Sequence, residues 1–303
     1  MKQTAQSTCS IDQNAYLQPY LSYLQNFRRC SPNTVKAYRN DAEDFLKWFA
    51  QNDVPLRPNQ ITKEVLFRYL TSLNHLSANT IRRKIHALGS WFKYSIDCGA
   101  MRENPAQGLP LPRRERQLPK YPTSEQSEKL LSAAKSPLEL AVIWLLLTTG
   151  VRRAELVALD LGDLRSNGSE LHVTGKGNKE RMVPLPLRTQ TVLDEYLNAR
   201  GDSAGPLLRN RAGNRIGYTS LRRMFNRLLR RAGLDDCGFT LHSTRHAYAT
   251  MLVKAGVDLG TVRDLLGHSD ISVTSVYVHS DLRSKKTAVE QLPILAAGGG
   301  VGE

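Results

Sequence analysis

Apolar residues recur at helical spacing through the first third of the chain. One face of a first predicted helix carries Tyr16, Leu17, Tyr20, Leu21 and Leu24. A second helix is predicted to open at Ser31 and Pro32, a capping residue followed by proline at the first helical position. Two more helices are predicted over residues 62–73 and 77–98. The pattern over residues 11–108 therefore predicts an all-helical N-terminal domain.

The helical pattern stops in a segment rich in proline. Residues 107–122 contain four prolines together with Arg113, Arg114 and Arg116, so this segment is predicted to be neither helical nor buried. We interpret residues 109–122 as an interdomain linker. Its positive charge favours a path along a phosphate backbone, with the three arginines as DNA contacts, but a plain solvated linker has the same composition.

A different pattern follows the linker. Residues 137–149 are almost entirely apolar, which predicts a central buried helix. Short apolar runs at 171–173 and 181–183 flank the sequence G-K-G-N, which is typical of a β-hairpin turn. Further helices are predicted over residues 188–199, 219–232, 243–255 and 259–266, with another near the C-terminus. We expect residues 123–297 to form an α+β domain, so that the whole chain is mainly α with a small β-hairpin or sheet.

Length and charge narrow the class of protein. The chain has 303 residues, which suits two domains. Its net charge of +14 and pI near 9.8 favour a polyanionic partner, with nucleic acid ahead of an anionic membrane surface. The longest strongly apolar run, residues 141–147, is far shorter than a membrane span, and the N-terminus lacks an apolar signal core. We therefore expect a cytoplasmic, nucleoid-associated protein with no membrane partner.

The cysteines do not indicate a disulfide framework or a metal site. They are scattered, without a C-x-x-C pair or a histidine at ligand spacing, at Cys9, Cys30, Cys98 and Cys237. Clustered carboxylates of the kind that a metal nuclease needs are not found either. We expect reduced, ordinary cysteines, no metal and no cofactor.

An arginine directly follows the apolar helix of the second domain. Arg152 stands in the sequence T-G-V-R-R-A-E-L, and Glu155 is close enough on a helical turn to reach back to it. We interpret Arg152 as aimed at a ligand. A surface Arg–Glu pair would have the same spacing.

A second candidate group lies near the C-terminal end. His242 and Arg245 project from one side of a predicted helix start, where the helix dipole also favours an anion such as phosphate. A histidine that caps a helix is the alternative interpretation. His268 follows in L-L-G-H, and Tyr277 stands nine residues later among valines, a position typical of a core residue. These residues share one domain with Lys176 in the hairpin turn, which favours a single site.

The order of these motifs resembles that of the tyrosine recombinase (phage integrase-like) family, especially its compact bacterial Xer-type members. T-G-V-R-R-A-E-L is similar to the first arginine box, G-K-G-N-K-E-R to the hairpin lysine, H-S-T-R-H to the H-x-x-R box, L-L-G-H to the second histidine and S-V-Y-V-H to the nucleophile box. Ser243 and Thr244 replace the expected Asp-Leu, which puts the packing behind the site in doubt. The resemblance implies a helical, SAM-like core-binding domain followed by an α+β catalytic domain.

The resemblance also implies roles for the residues. Tyr277 would attack a phosphodiester, while Arg152 and Arg245 clamp the non-bridging oxygens and stabilise the charge of the transition state in place of a metal ion. His242 would help to accept the tyrosine proton or hydrogen-bond the phosphate, and His268 would hold another oxygen. Lys176 would protonate the leaving 5′-oxygen. Neither a metal nor ATP is then needed.

Double-stranded DNA is the expected partner. The predicted helix over residues 77–98 carries Asn79, Arg82, Arg83 and His86 on its polar side and is our candidate for entry into the major groove; a solvated helix face is the alternative. The resemblance implies four protomers on two paired sites, as a homotetramer or as a heterotetramer with a paralogous recombinase, and a Holliday junction intermediate. A DNA translocase or accessory protein is a further possible partner.

Other functions share this architecture. A non-catalytic DNA-binding protein could keep the fold, and a type IB topoisomerase uses a similar residue set. Chromosome or plasmid dimer resolution and integration of a mobile element both remain open. The tail, residues 281–295, has helical composition followed by an apolar end, and we expect it either to fold back on its own domain or to dock into a neighbouring protomer.

Overall fold

The computed structural model describes residues 13–52, 61–113, 120–175, 177–201 and 204–267. These residues fall into two compact units, one that ends at residue 113 and one that begins at residue 120. No helix in the described ranges is both long and apolar enough to cross a membrane.

The described part of the N-terminal unit is all-helical, as the sequence predicts. Its helices are α1 (Gln13–Ser22), α2 (Pro32–Gln51), α3 (Lys63–Ser72) and α4 (Ala78–Asp97), with a π-helical turn, Tyr23–Phe27, after α1. The last three helices each begin after a hydroxyl that accepts a hydrogen bond from the backbone N–H three residues later, at Ser31, Thr62 and Ser77. Because these caps satisfy N–H groups that a helix start leaves unpaired, they fix where each helix begins.

Aromatic contacts hold three of these helices together. Phe45 of α2 contacts Tyr69 of α3 and Phe92 of α4, with ring centroids 4.9 and 5.9 Å apart. Leu66 and Leu88 are fully buried beside them. Each such side chain contributes about 1.5–3 kcal/mol through burial, so this cluster is the core of the N-terminal unit.

A buried ion-pair network also joins α2 to α4. Lys84 Nζ lies 3.1 Å from Asp41 Oδ1 and 2.8 Å from Asp44 Oδ2, and Arg83 pairs with the same Asp41. The Lys84 and Asp41 side chains are 5% and 1% exposed. Burial alone would lower the pKa of Lys84, but hydrogen bonds to Asp44 and Asp41 raise it above its ordinary value. Loss of either buried partner would leave the other with a single, partly exposed ion-pair partner.

The C-terminal unit combines helices with a small sheet. Its helices are α5 (Ser124–Ser132), α6 (Pro137–Thr149), α7 (Arg153–Ala158), α8 (Leu187–Arg200), α9 (Tyr218–Arg231), α10 (Leu241–Lys254) and α11 (Leu259–Leu266). Its strands are β1 (Leu164–Arg165), β2 (Glu170–Thr174) and β3 (Glu180–Pro184), which follow α7. The apolar helix α6 is central, as predicted: Ile143, Leu145 and Leu146 are fully buried, and the helix packs against α5, α8 and α10.

The three strands form an antiparallel sheet in the order β1-β2-β3. Leu171 pairs with Val183 on the buried face, and His172 pairs with Met182 on the outer face. The Gly175 N–H donates to Lys179 O at 2.7 Å and closes the hairpin turn. The sequence predicts this hairpin but not β1, because two residues are too few to show a strand periodicity.

Helix α10 begins at Leu241, two residues before the predicted start at 243. The Thr240 side chain accepts from the His242 N–H at 3.2 Å, and Ser243 Oγ accepts from the Thr240 N–H at 3.0 Å. This capping box starts the helix early and places His242 within its first turn. Ser243, at the position where an aspartate was expected, therefore accepts the hydrogen bond from the Thr240 N–H in this capping box.

Candidate active site

The turn between α6 and α7 determines where Arg152 points. Gly150 ends α6 in the left-handed conformation, with φ of 58°. A Cβ at this position would lie 2.4 Å from Tyr248 Cδ1, so no other residue fits without movement. The chain leaves the helical conformation here, and Arg152 is the residue that precedes α7.

Glu155 reaches back to Arg152, as their spacing predicts. Arg152 Nη1 donates to Glu155 Oε1 at 2.7 Å, and the Arg152 N–H donates to Oε2 at 2.8 Å. Arg152 Nη2 donates to Gly267 O at 3.1 Å. The Arg152 side chain is still 34% exposed, so part of the guanidinium is accessible to a ligand.

Glu155 also pairs with Arg181 of β3, which sequence reasoning missed. Arg181 Nη2 lies 2.8 Å from Glu155 Oε2, and the Glu155 side chain is 4% exposed. Burial alone would raise the pKa of Glu155, but hydrogen bonds from Arg181 and Arg152 outweigh it and hold that pKa below its ordinary value. Glu155 is therefore a charged carboxylate that two arginines share.

Arg245 is almost completely enclosed. The residue is 1% exposed, on the first turns of α10. Its Nη1 donates to Gly150 O and its Nη2 to Leu266 O, both at 2.6 Å. A guanidinium tolerates burial only with such hydrogen bonds, which also fix its plane.

His242 lies one helical turn before Arg245, and its ring meets that of His246 in an edge-to-face contact with centroids 4.6 Å apart. Partial desolvation of the ring, and then the charges of Arg245, Arg152 and Arg153, lower the pKa of His242. Burial, His242 and Arg245 lower the pKa of His246 to about 4. Both rings are therefore neutral at pH 7, and His242 is able to accept a proton.

Three arginines meet at the end of α11. We call Leu265 O, Leu266 O and Gly267 O the α11 carbonyl cluster. Arg181 Nε donates to Leu265 O at 2.9 Å, while Arg245 and Arg152 donate to the next two carbonyls as given above. The last carbonyls of a helix lack intrahelical partners and carry the negative end of its dipole, so guanidinium groups stabilise them.

The structure thus brings together three of the six residues predicted for catalysis, Arg152, His242 and Arg245. The other three, Lys176, His268 and Tyr277, lie outside the described residues. In the described part of the chain, no group of three or more His, Cys, Asp or Glu side chains could hold a metal ion. The arrangement that is described presents cationic and neutral donors that can bind an anionic oxygen.

The residues predicted to contact DNA differ in their surroundings. Asn79 and His86 are exposed on α4, and Arg113 is exposed. Arg82 Nη1 donates to Pro112 O at 2.9 Å, and Arg83 is paired with Asp41. Arg114 and Arg116 lie outside the described residues, as does the predicted tail helix.

Helix α9 carries a basic face that was not singled out from the sequence. Its inward side consists of buried apolar residues, including Leu221, Phe225 and Leu228. Its exposed side carries Arg222, Arg223, Arg227 and Arg230. The alternation of arginines with apolar pairs in this segment is a signal that could have found the face from the sequence.

The fold and these residues define a class of protein, and comparison with known proteins agrees. A family model described as "Phage integrase family" matches residues 120–283. A second model, "Phage integrase, N-terminal SAM-like domain", matches residues 17–99. The chain belongs to the phage integrase family, and it is a tyrosine recombinase.

Particular relatives are Xer recombinases. The chain is 33% identical to "Tyrosine recombinase XerC" of Herpetosiphon aurantiacus, over 92% of this chain and 96% of that protein. It is 33% identical to "Tyrosine recombinase XerD" of Listeria monocytogenes, over 88% and 94%. A crystal structure of a lambda integrase fragment dimer bound to a COC' core site has the same fold, with a TM-score of 0.72 at 19% identity, over 89% of this chain and 96% of that one.

Proposed function

We propose that this chain is a site-specific recombinase that cuts and rejoins duplex DNA through a covalent bond to Tyr277. The observation that carries the proposal is the convergence of Arg152, Arg245 and His242. Arg152 and Arg245 donate to Gly267 O and Leu266 O, the two residues that precede His268 in the chain, and the charges of both arginines act on His242. Two cations close enough to a neutral base to lower its pKa suit an anionic phosphodiester.

The cleavage step follows from this arrangement. The Tyr277 oxygen attacks phosphorus and forms a phosphotyrosine bond, while the bond from phosphorus to the 5′-oxygen breaks. His242 helps to accept the phenol proton, and Lys176 gives a proton to the leaving 5′-oxygen. Arg152 and Arg245 stabilise the added negative charge of the transition state, and His268 holds another oxygen.

Rejoining reverses these roles. A 5′-hydroxyl of a new strand attacks the phosphotyrosine, and the Tyr277 oxygen leaves with a proton. Because the phosphotyrosine bond conserves the energy of the phosphodiester, the exchange needs no ATP, and the arginines supply the positive charge that a metal would otherwise give.

Several basic surfaces are proposed to hold the DNA. They are the outer side of α4 with Asn79 and His86, the arginines of 113–116, and the exposed face of α9. A solved structure with this fold is that of the XerH site-specific recombinase bound to its difH substrate, at a TM-score of 0.70 and 22% identity, over 91% of this chain and 83% of that one. Phosphate contacts of this kind make binding fall steeply with salt.

Assembly and biological role are the finer parts of the proposal. Four protomers on two paired sites would exchange strands through a Holliday junction, as a homotetramer or with a paralogous partner. The names of the relatives favour a Xer-like role in resolving chromosome or plasmid dimers. Mapping the bound DNA in cells tests this role, since a single peak near the replication terminus fits dimer resolution and peaks at element ends fit a mobile element.

The catalytic proposal is tested with Tyr277→Phe. This change keeps the ring and removes the nucleophilic oxygen, so the variant is expected to bind DNA but to form no covalent adduct. The measurement is a denaturing gel after incubation with a nicked duplex that carries the mapped site. If the variant still forms a covalent adduct, Tyr277 is not the nucleophile. If the wild-type protein binds the duplex but forms no adduct, the result favours a non-catalytic DNA-binding protein.

A further inference from the structure

Arg181 has no part in the proposed chemistry, yet it touches three parts of the candidate site. It lies on β3, and its side chain is 10% exposed. Its Nη2 donates to Glu155 Oε2 and its Nε to Leu265 O. One guanidinium therefore joins the hairpin to α7 and to the α11 carbonyl cluster.

The first contact acts on Arg152. Glu155 receives Arg152 Nη1 on one carboxylate oxygen and shares the other between the Arg152 N–H and Arg181 Nη2. The hydrogen bonds from Arg152 and Arg181 hold the buried Glu155 carboxylate in a single orientation. The direction in which Arg152 points is therefore set in part by Arg181.

The second contact acts on the end of α11. A Cβ at Gly267 would lie 3.1 Å from Arg181 Cδ and Nη1, and Gly267 itself has φ of 64°. The Arg181 side chain thus packs directly against the residue that ends α11. A shift of the Arg181 side chain would therefore change its packing against Gly267, the residue that precedes His268.

The third contact is with the start of the hairpin turn. A Cβ at Gly175 would lie 3.2 Å from Glu155 Oε1 and 3.7 Å from Arg181 Nη1. The glycine that precedes Lys176 therefore sits against the same Glu155–Arg181 pair. A side chain at this position would press on Glu155 and would also contact Arg181.

We propose that Arg181 is a positioning residue for the recombination reaction: it holds Glu155, and through it Arg152, in register with the end of α11 and the base of the hairpin. The inference rests on the proposed function. Arginine suits this role because its planar guanidinium directs Nε and Nη2 to two acceptors at a fixed angle, which the single ammonium of lysine does not do.

The test compares Arg181→Met and Arg181→Lys with a matched control, Arg215→Met. Arg215 also bonds a carboxylate and two backbone carbonyls, of Asp160, Val157 and Leu159, but it touches none of the site residues named above. Each full-length protein is assayed for single-turnover cleavage of the nicked duplex at saturating DNA, for DNA affinity and for urea unfolding, and rates are compared at equal folded fraction.

We expect Arg181→Met to lower the cleavage rate constant by roughly 100-fold with little change in DNA affinity, because a displacement of about 1 Å at a reacting group has that effect. Arg181→Lys should recover part of the rate, and Arg215→Met should lose stability without losing rate. Without Arg181 the pKa of Glu155 should rise, so the rate should begin to fall at a higher pH on the acid side.

Equal rates for Arg181→Met and Arg215→Met, with unchanged pH profiles, would show that Arg181 is merely structural and would overturn the inference alone. A wild-type protein that binds the duplex but forms no adduct would overturn this inference and the proposed function together. If Arg181→Met fails to fold, the rate and pH profile of Arg181→Lys decide between the same outcomes.

Discussion

At the scale of single residues, burial and charge prepare the site before any ligand arrives. Arg245 donates to the carbonyls of Gly150 and Leu266, and these two hydrogen bonds hold its guanidinium plane. Arg152 is held by the Glu155 carboxylate and by the Gly267 carbonyl. Both guanidinium groups are therefore oriented by the fold before a phosphate binds.

The neutral state of His246 predicts a pH-dependent loss of stability. Its pKa is about 4 in the folded chain, against an ordinary value near 6.5. Between these values the unfolded chain binds the proton and the folded chain does not, so stability falls as pH drops below 6.5. The free energy of unfolding is therefore expected to be about 1–2 kcal/mol lower at pH 5 than at pH 7.5 because of His246. Urea unfolding of wild type and His246→Leu at both pH values measures it.

Other acid-sensitive groups are present in both the wild type and His246→Leu. The difference between the two proteins in stability lost between pH 7.5 and pH 5 therefore reports on His246. We expect the wild type to lose more stability between pH 7.5 and pH 5 than the variant does. Parallel losses would mean that His246 is protonated as readily in the folded chain as in the unfolded chain.

Residue contacts close in sequence were predictable, and those distant in sequence were not. The Arg152–Glu155 pair follows from an i, i+3 spacing on one helical turn. The partners of Arg181 lie 26 and 84 residues away, so no spacing in the sequence could place them together. The role of Arg181 becomes visible once the folded chain brings β3, α7 and α11 into contact.

At the scale of elements, α4 divides its polar residues between the fold and the surface. Lys84 is buried and pairs with Asp41 on α2, whereas Asn79 and His86 are exposed. Arg83 also pairs with Asp41, although its side chain is 44% exposed. These four residues stand close together on one helix. A change on α4 therefore affects stability, binding or both, according to which of these side chains it alters.

This division gives a prediction for α4. Arg83→Ala is expected to lower the free energy of unfolding by about 1–2 kcal/mol, because Asp41 is buried and loses a hydrogen-bond donor. The double variant Asn79→Ala/His86→Ala should unfold within about 0.5 kcal/mol of wild type but bind DNA more weakly. Urea unfolding and DNA titration at one salt concentration compare them. Unaltered binding by the double variant would identify the outer side of α4 as a solvated face.

Helix positions were predictable where a local cap sets them. Three helix starts can be recognised in the sequence, at Ser31, Thr62 and Ser77, because a serine or threonine just before an apolar repeat commonly caps a helix N-terminus. The sequence places the start of α10 two residues late, since Thr240 stands in a run of several possible caps. The basic face of α9 shows that a strong amphipathic pattern also carries functional information.

At the scale of the whole molecule, the tail gives a further prediction, which concerns residues outside the described ranges. Truncation after Ser284 is expected to leave single-site binding nearly intact, to reduce cooperative binding to paired sites and to abolish recombination. The reason is that a tail docked into a neighbouring protomer would couple the position of Tyr277 to the occupancy of the next site. Binding to one-site and two-site duplexes, with a recombination assay, measures these effects.

The opposite outcome is equally clear. If the truncated protein recombines at the full rate, the tail does not couple protomers and instead packs on its own domain or not at all. Single-site binding serves as the control, because it depends on the two compact units and not on a neighbour.

The buried ion-pair network of α2 and α4 has a consequence for laboratory evolution toward new target sequences. Lys84 and Arg83 lie on the same helix as Asn79 and His86, so a library that randomises every polar position of α4 would include many variants that lose the ion pairs to Asp41. A library limited to Asn79 and His86 would keep that network and place its diversity on the outward side. The design of altered specificity is therefore constrained by which side chains the fold already uses.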